Sequence, residues 1–174
     1  MKLLAIGLVF GSALFSAPQK RNPTSPELMA FFNDACWNGK FVGKADTDVH
    51  CFRGMVSGQF VRDNHVVKSS RGTYGGETVF WVDKEGKLVY AYWDTHGGFS
   101  RGEMIPTKSG FESPAEHYRG QDGTKFTIKT RWLLEPPNAY TMESVKLSGD
   151  TESRMFAIEY TRAPLAKCPG PTCI

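Results

Sequence analysis

The chain's 174 residues amount to about one domain, so a single core is expected. Its 21 Lys and Arg are interspersed with 18 Asp and Glu, for a formal net charge of +3. That mild, scattered balance excludes the basic run or stripe of a counterion-releasing nucleic-acid binder, and no nucleic-acid partner is expected.

In chain order, residues 1–17 carry Lys2, an apolar run from Leu3 to Phe15 and then small residues. This is the architecture of a secretory signal, too short for an ordinary membrane span. Cleavage after Ala17 is expected, with cuts after Ala13 or near Gln19 and an uncleaved anchor as alternatives. A periplasmic or secreted protein follows, with no stable membrane span once the signal is removed. Residues 18–25, PQKRNPTS, read as a linker. Ser25-Pro26-Glu27 then supplies an N-cap, a first-turn proline and an acidic first turn. Leu28, Phe31, Phe32 and Ala35 follow at i, i+3, i+4 and i+7, the apolar face of a helix of about ten residues.

Beyond Cys36 the texture changes to short β-branched and aromatic runs punctuated by Gly, Asp, Asn and Pro. Ten strands are predicted, over 38–44, 50–61, 65–73, 77–83, 87–93, 98–105, 110–118, 125–134, 139–147 and 153–162. Their turns fall at Asp63-Asn64, Gly75-Gly76, Asp83 to Gly86, His96 to Gly98, Lys108 to Gly110, Gln121 to Gly123, Pro136 to Asn138 and Gly149-Asp150. Connections this short permit antiparallel neighbours and leave no room for crossover helices. An antiparallel meander of ten strands hides its edges most completely by closing on itself. The predicted fold is therefore an all-β, up-and-down barrel with a short N-terminal helix, over residues 26–165. Lys125, Thr127, Lys129 and Arg131 alternate with Phe126, Ile128, Thr130 and Trp132, one wet face and one dry. In the last strand Phe156, Ile158 and Tyr160 share a face.

The four cysteines, Cys36, Cys51, Cys168 and Cys173, are even in number in a chain read as exported, which points to disulfides. Three pairings are possible. Cys36 with Cys51, across adjacent strands, and Cys168 with Cys173, closing a tail over 166–174, is the expected set. A metal site is the rival reading, but neither Cys-x4-Cys nor His50 beside Cys51 brings a second ligand pair, so no metal is expected.

Cys36-Trp37-Asn38-Gly39-Lys40-Phe41-Val42-Gly43 after the helix, and Glu159-Tyr160-Thr161-Arg162 at the end, resemble the opening and closing patterns of the calycin superfamily: lipocalins, fatty-acid-binding proteins and nitrobindin-like barrels. The centre, from Thr78 to Asp94, looks like that of exported, calycin-like bacterial proteins. The resemblance implies that Trp37 closes one barrel end with Arg162, or Arg154, as a cation over its ring. A nitrobindin-like haem would need a proximal histidine on the last strand, where Met155, Phe156, Ala157 and Ile158 stand instead. No cofactor is expected.

The functional expectation is a barrel that binds a small apolar or amphipathic molecule and performs no chemistry, lined by Tyr90, Tyr92, Phe126, Trp132 and Tyr140. One alternative is an isomerase, lyase or hydrolase using Asp94 and His96, with Arg101, Glu103, Glu112 and Glu116 in the same region. Another is an envelope interaction module with an exposed apolar patch. The four histidines, His50, His65, His96 and His117, read as separate surface or rim residues. On 98–105, Phe99, Arg101 and Glu103 are expected to face outward.

Overall fold

The computed structural model describes residues 24–119 and 124–165. Helix α1 spans Ser25–Phe32, and eleven strands follow: β1 Ala35–Phe41, β2 Thr47–Met55, β3 Phe60–Ser69, β4 Gly72–Val82, β5 Leu88–Asp94, β6 Phe99–Thr107, β7 Gly110–Glu112, β8 Glu116–Arg119, β9 Lys125–Glu135, β10 Ala139–Ser148 and β11 Thr151–Ala163. All pair antiparallel. β7 and β8 lie one after the other along β9, through Phe111↔Trp132 and His117↔Thr127, so together they occupy one position in the ring. β11 pairs with β1 from Cys36↔Ala163 to Phe41↔Ile158, which closes a ten-stranded antiparallel meander into a barrel. The fold class is the one expected.

α1 starts one residue earlier than its sequence suggests. Thr24, not Ser25, is the N-cap, and its backbone N–H donates to the Glu27 carboxylate at 2.8 Å. That leaves Ser25 free to donate its hydroxyl to the Gly86 carbonyl at 3.0 Å, tying the helix to the β4–β5 turn. Phe32 touches Trp37 on β1, Phe52 on β2, Phe111 on β7 and Tyr140 on β10, with ring centroids 4.7–5.8 Å away. β2 and β7 stand on opposite sides of the ring, so one side chain reaching both lies across the interior. The helix therefore plugs one barrel end, with Leu28 and Phe32 buried. Arg162 lies 5.5 Å from the Trp37 ring at this end, and Trp37 is fully buried.

Two expected turns prove to be strand interiors. Asp63-Asn64 sits inside β3 and Gly75-Gly76 inside β4; the chain reverses instead at 56–59 and 70–71. At the first of these Val56, Ser57 and Gly58 all take positive φ, a turn whose sequence signal is the Ser57-Gly58 dipeptide. The glycines serve packing. A Cβ on Gly76 would stand 2.6 Å from the Tyr92 ring and 2.8 Å from the Trp93 carbonyl, and one on Gly39 2.5 Å from the Tyr160 ring. Both tyrosines can lie flat against the wall because nothing projects there.

The dry faces agree with expectation on β9, where Phe126, Ile128, Thr130 and Trp132 line the interior, and on β11, where Phe156 and Ile158 do so. On β6, Ser100 and Met104 face in, while Phe99 is exposed and Glu103 pairs with Lys87 at 2.8 Å. Cys36 and Cys51 are direct cross-strand partners and form a disulfide. Residues 1–17, Cys168, Cys173, the 166–174 tail and the Gln121 to Gly123 turn lie outside the described residues. No described helix is long and apolar enough to cross a membrane.

Candidate functional site

The barrel encloses a cavity of about 480 Å³. It runs from Leu28, Met29 and Phe32 of the helix to the opposite end, where Met155 both lines it and is 45% exposed, so it reaches solvent there. Its walls differ in character. Met104, Phe111, Phe126, Ile128, Trp132, Met142 and Phe156 make the wall from β6 to β11 mainly apolar, while β2 to β5 set Asp48, His50, Asp63, His65, Tyr74, Tyr90 and Tyr92 among the apolar Phe52, Val61, Val67, Phe80 and Leu88.

The polar wall follows from strand period and register. Asp48 and His50 are two apart on β2, and Asp63 and His65 are two apart on β3, so each pair shares the inward face. His50 and His65 are direct cross-strand partners, and their rings stack 4.8 Å apart at 16°. His50 lies between two carboxylates, with Nδ1 2.7 Å from Asp63 Oδ2 and Nε2 3.1 Å from Asp48 Oδ2. Facing an acceptor on each side, its ring carries both protons. Tyr160 donates to the same Asp48 oxygen at 2.7 Å. His65 Nε2 is 3.1 Å from the Tyr92 hydroxyl, which in turn meets the Tyr74 hydroxyl at 2.5 Å.

Burial alone would push the Asp48 carboxyl up, but His50 and His65 beside it more than reverse this and hold it well below the usual carboxylate range. Burial would likewise lower His50, but Asp63 and Asp48 outweigh it and raise the imidazole to about 10. Tyr160 and Tyr140 are pushed well above the ordinary phenol value, first by burial and then by the nearby carboxylates. Three side-chain atoms of the cluster are buried without a hydrogen-bond partner: Asp48 Oδ1, Asp63 Oδ1 and His65 Nδ1. A second polar feature stands apart, where the Tyr90 hydroxyl donates to Glu116, which also lines the cavity.

Of the residues expected to line the interior, Tyr90, Tyr92, Phe126 and Trp132 do so. Tyr140 lies behind them, 1% exposed, stacked on Tyr160 at 4.3 Å and edge-on to Trp37 at 5.0 Å, as part of the core beside the helix plug. Asp94 and His96 form the β5–β6 turn at the end opposite the helix. The Asp94 carboxylate accepts from the backbone N–H groups of His96 at 2.7 Å and Gly98 at 3.0 Å, and Gly97 takes φ +81°. His96 is exposed, with its ring stacked on Tyr74 at 5.2 Å. Glu112 points away from the cavity into ion pairs with Lys129 and Arg131. Trp93 and Phe99, direct partners across β5 and β6, are 41% and 66% exposed on the outer face.

No protein-family model matches this chain, and no curated protein matches it.

The expectation of separate surface or rim histidines fails for two of the four. His50 and His65 are 8% and 9% exposed and stacked on one another, whereas His96 and His117 are exposed. Two short sequence signals could have found this: Asp48-Val49-His50 and Asp63-Asn64-His65 repeat Asp-x-His at the spacing that puts both side chains on one strand face. Reading Asp63-Asn64 as a turn split the second copy.

Proposed function

We propose that the protein is an exported, calycin-like barrel that holds one small amphipathic molecule in its cavity without chemically changing it. The observation that carries this reading is one solvent-reaching, mainly apolar cavity with a buried polar cluster concentrated on β2 to β5. The apolar body of a ligand lies against Phe111, Phe126, Trp132 and Phe156, where removal from water contributes about 25 cal/mol per Å². Its polar end faces Tyr74, Tyr92 and the Asp48, His50, Asp63, His65 cluster, which fixes orientation. Two carboxylates there disfavour an anionic head group and favour a hydrogen-bond donor or a cation. The Cys36–Cys51 disulfide fits an oxidising compartment, and with the apolar run from Leu3 to Phe15 it supports the periplasmic or secreted reading.

The test uses the full chain exported from a bacterial host and purified without detergent. Titrated with the neutral amphipathic dye N-phenyl-1-naphthylamine, it is expected to show saturable fluorescence enhancement at one site per chain. Trp132→Ala and Phe126→Ser should weaken that binding, and mass spectrometry of solvent extracts should find a co-purified small molecule. A linear, unsaturable dye response together with an empty extract would overturn the reading.

A further inference from the structure

Three donor atoms of the polar wall converge: one each from Asp48, His50 and His65, all within 4.8 Å of one another and all on buried residues. His50 Nε2 is 3.1 Å from Asp48 Oδ2, and His65 Nδ1 is 3.5 Å from the other oxygen, Asp48 Oδ1. Ligands bound about 2.0–2.1 Å from a tetrahedral ion lie roughly 3.3 Å from each other, so each nitrogen stands near coordination spacing from one Asp48 oxygen, and the separations within any single set of three donor atoms must narrow. We propose that Asp48, His50 and His65 are the protein ligands of a divalent first-row transition-metal ion held at the polar wall of the cavity.

Four observations support it. First, the second nitrogen of each ring is already engaged: His50 Nδ1 by Asp63 at 2.7 Å and His65 Nε2 by Tyr92 at 3.1 Å. Metal-binding histidines are oriented in this way, their outer nitrogen donating to a carboxylate or hydroxyl while the inner one keeps its lone pair for the ion. Second, His65 Nδ1 and Asp48 Oδ1 face each other, buried, at 3.5 Å, a contact too long and poorly aligned to be a good hydrogen bond, and a shared cation satisfies both atoms. Third, charge: Asp48 and Asp63 beside neutral imidazoles amount to two negative charges in a buried site, which one divalent ion cancels. Without an ion, the doubly protonated His50 ring cancels one of the two charges, and the second is balanced only by a further proton on His65 or on a carboxylate, with the two rings stacked 4.8 Å apart. Fourth, two imidazole nitrogens and one carboxylate oxygen select zinc, cobalt, nickel or ferrous iron over calcium and magnesium, which prefer all-oxygen shells.

The ion takes the place of the proton on His50 Nε2, as ligation requires. Three protein ligands leave at least one coordination position open, and because all three residues line the cavity, that position faces its interior. The metal site does not depend on the cavity accepting an organic molecule. Where both hold, the ion is the contact point for the ligand's polar end, and a lone-pair donor then replaces the donor or cation favoured by the metal-free wall.

The test titrates the full chain, stripped with a chelator, with Co²⁺ alone. One equivalent is expected to produce visible d–d absorption that Zn²⁺ then abolishes by displacement. Asp48→Asn and His65→Gln should lose the band, while His96→Ala and His117→Ala should keep it. Absence of a stoichiometric band in the unaltered chain overturns the proposal, as does a band that survives in both site variants. Should those variants fail to fold, long-range ¹H–¹⁵N spectra of the unaltered chain decide: Zn²⁺ must shift His50 Nε2 and His65 Nδ1, and shifts confined to His96 or His117 overturn the proposal. Dye binding is measured separately on the stripped chain, so failure of the metal site and failure of the ligand cavity are distinguishable.

Discussion

Asp-x-His occurs three times in this chain, at Asp48, Asp63 and Asp94, and the copies end in two different environments. The copies on β2 and β3 run through extended backbone, so Asp and His point the same way, into the barrel, and the register places His50 against His65. The third straddles the β5–β6 turn, where the Asp94 carboxylate curls back onto the N–H groups of His96 and Gly98. Identical local chemistry becomes a buried charged cluster in one region and a turn clasp in the other. The difference is made by the backbone's pleat and by the neighbouring strand. It also predicts that equivalent substitutions in the two regions differ in cost several-fold.

The largest effect is expected from His50→Ala. It leaves Asp48 and Asp63 buried without the imidazolium between them, and breaking a buried ion pair from one side costs about 3–5 kcal/mol. Urea unfolding of the metal-free protein measures it; a loss below 1 kcal/mol would show that the two regions are energetically alike. The same cluster sets a pH window. His50 is raised from 6.5 to about 10, so its contribution is fully present below pH 6.5 and is lost as pH rises toward 10. Asp48 is lowered from 3.8, so its contribution is present above that value and is lost as pH falls below it. The chelated protein should be most stable between about pH 4 and 6.5. Thermal melts that show stability unchanged from pH 6.5 to 10 would contradict the pairing.

Gly76→Ala comes next. The added methyl meets the Tyr92 ring and the Trp93 carbonyl inside van der Waals distance, and overpacking of this kind costs about 1–3 kcal/mol. Because Tyr92 carries the hydrogen bond to His65, the same change should disturb the polar wall, visible as a shifted His65 imidazole resonance. Gly72→Ala is a poor control, since Gly72 has φ +122°. Thr73→Ala, exposed at the start of the same strand, should stay within about 0.5 kcal/mol.

These residues also mark where the sequence was legible. The alternation of Lys125 to Trp132 placed β9 and its faces correctly, because one wet side and one dry side leave a period of two in the chain itself. Closure of the barrel followed from the short connections. Asp63-Asn64 and Gly75-Gly76 misled because turn-forming residue types can be chosen for other reasons: Asp63 as a charge partner for His50, Gly76 as space for Tyr92. Both reasons lie on neighbouring strands, so they become visible only with the register, through His50↔His65 and His65↔Gly76. Tyr140 was misplaced for a similar reason. Its inward direction was readable, but its depth is set by packing against Tyr160 on the next strand and against Phe32 of the helix plug.

The smallest effects are expected in the third copy. Asp94→Ala removes two hydrogen bonds to backbone N–H groups in a half-exposed turn, a loss of about 1 kcal/mol. His96→Ala removes an exposed ring whose contact is a stack on Tyr74, and should change stability by no more than about 0.5 kcal/mol. Yet His96 is joined to the buried cluster by contact, through Tyr74 and Tyr92 to His65. If the turn is only a clasp, His96→Ala leaves both cobalt and dye titrations unchanged. A tenfold fall in either affinity, without loss of stability, would mean that the rim and the polar wall act as one site, and the division between the two regions would have to be redrawn at Tyr74.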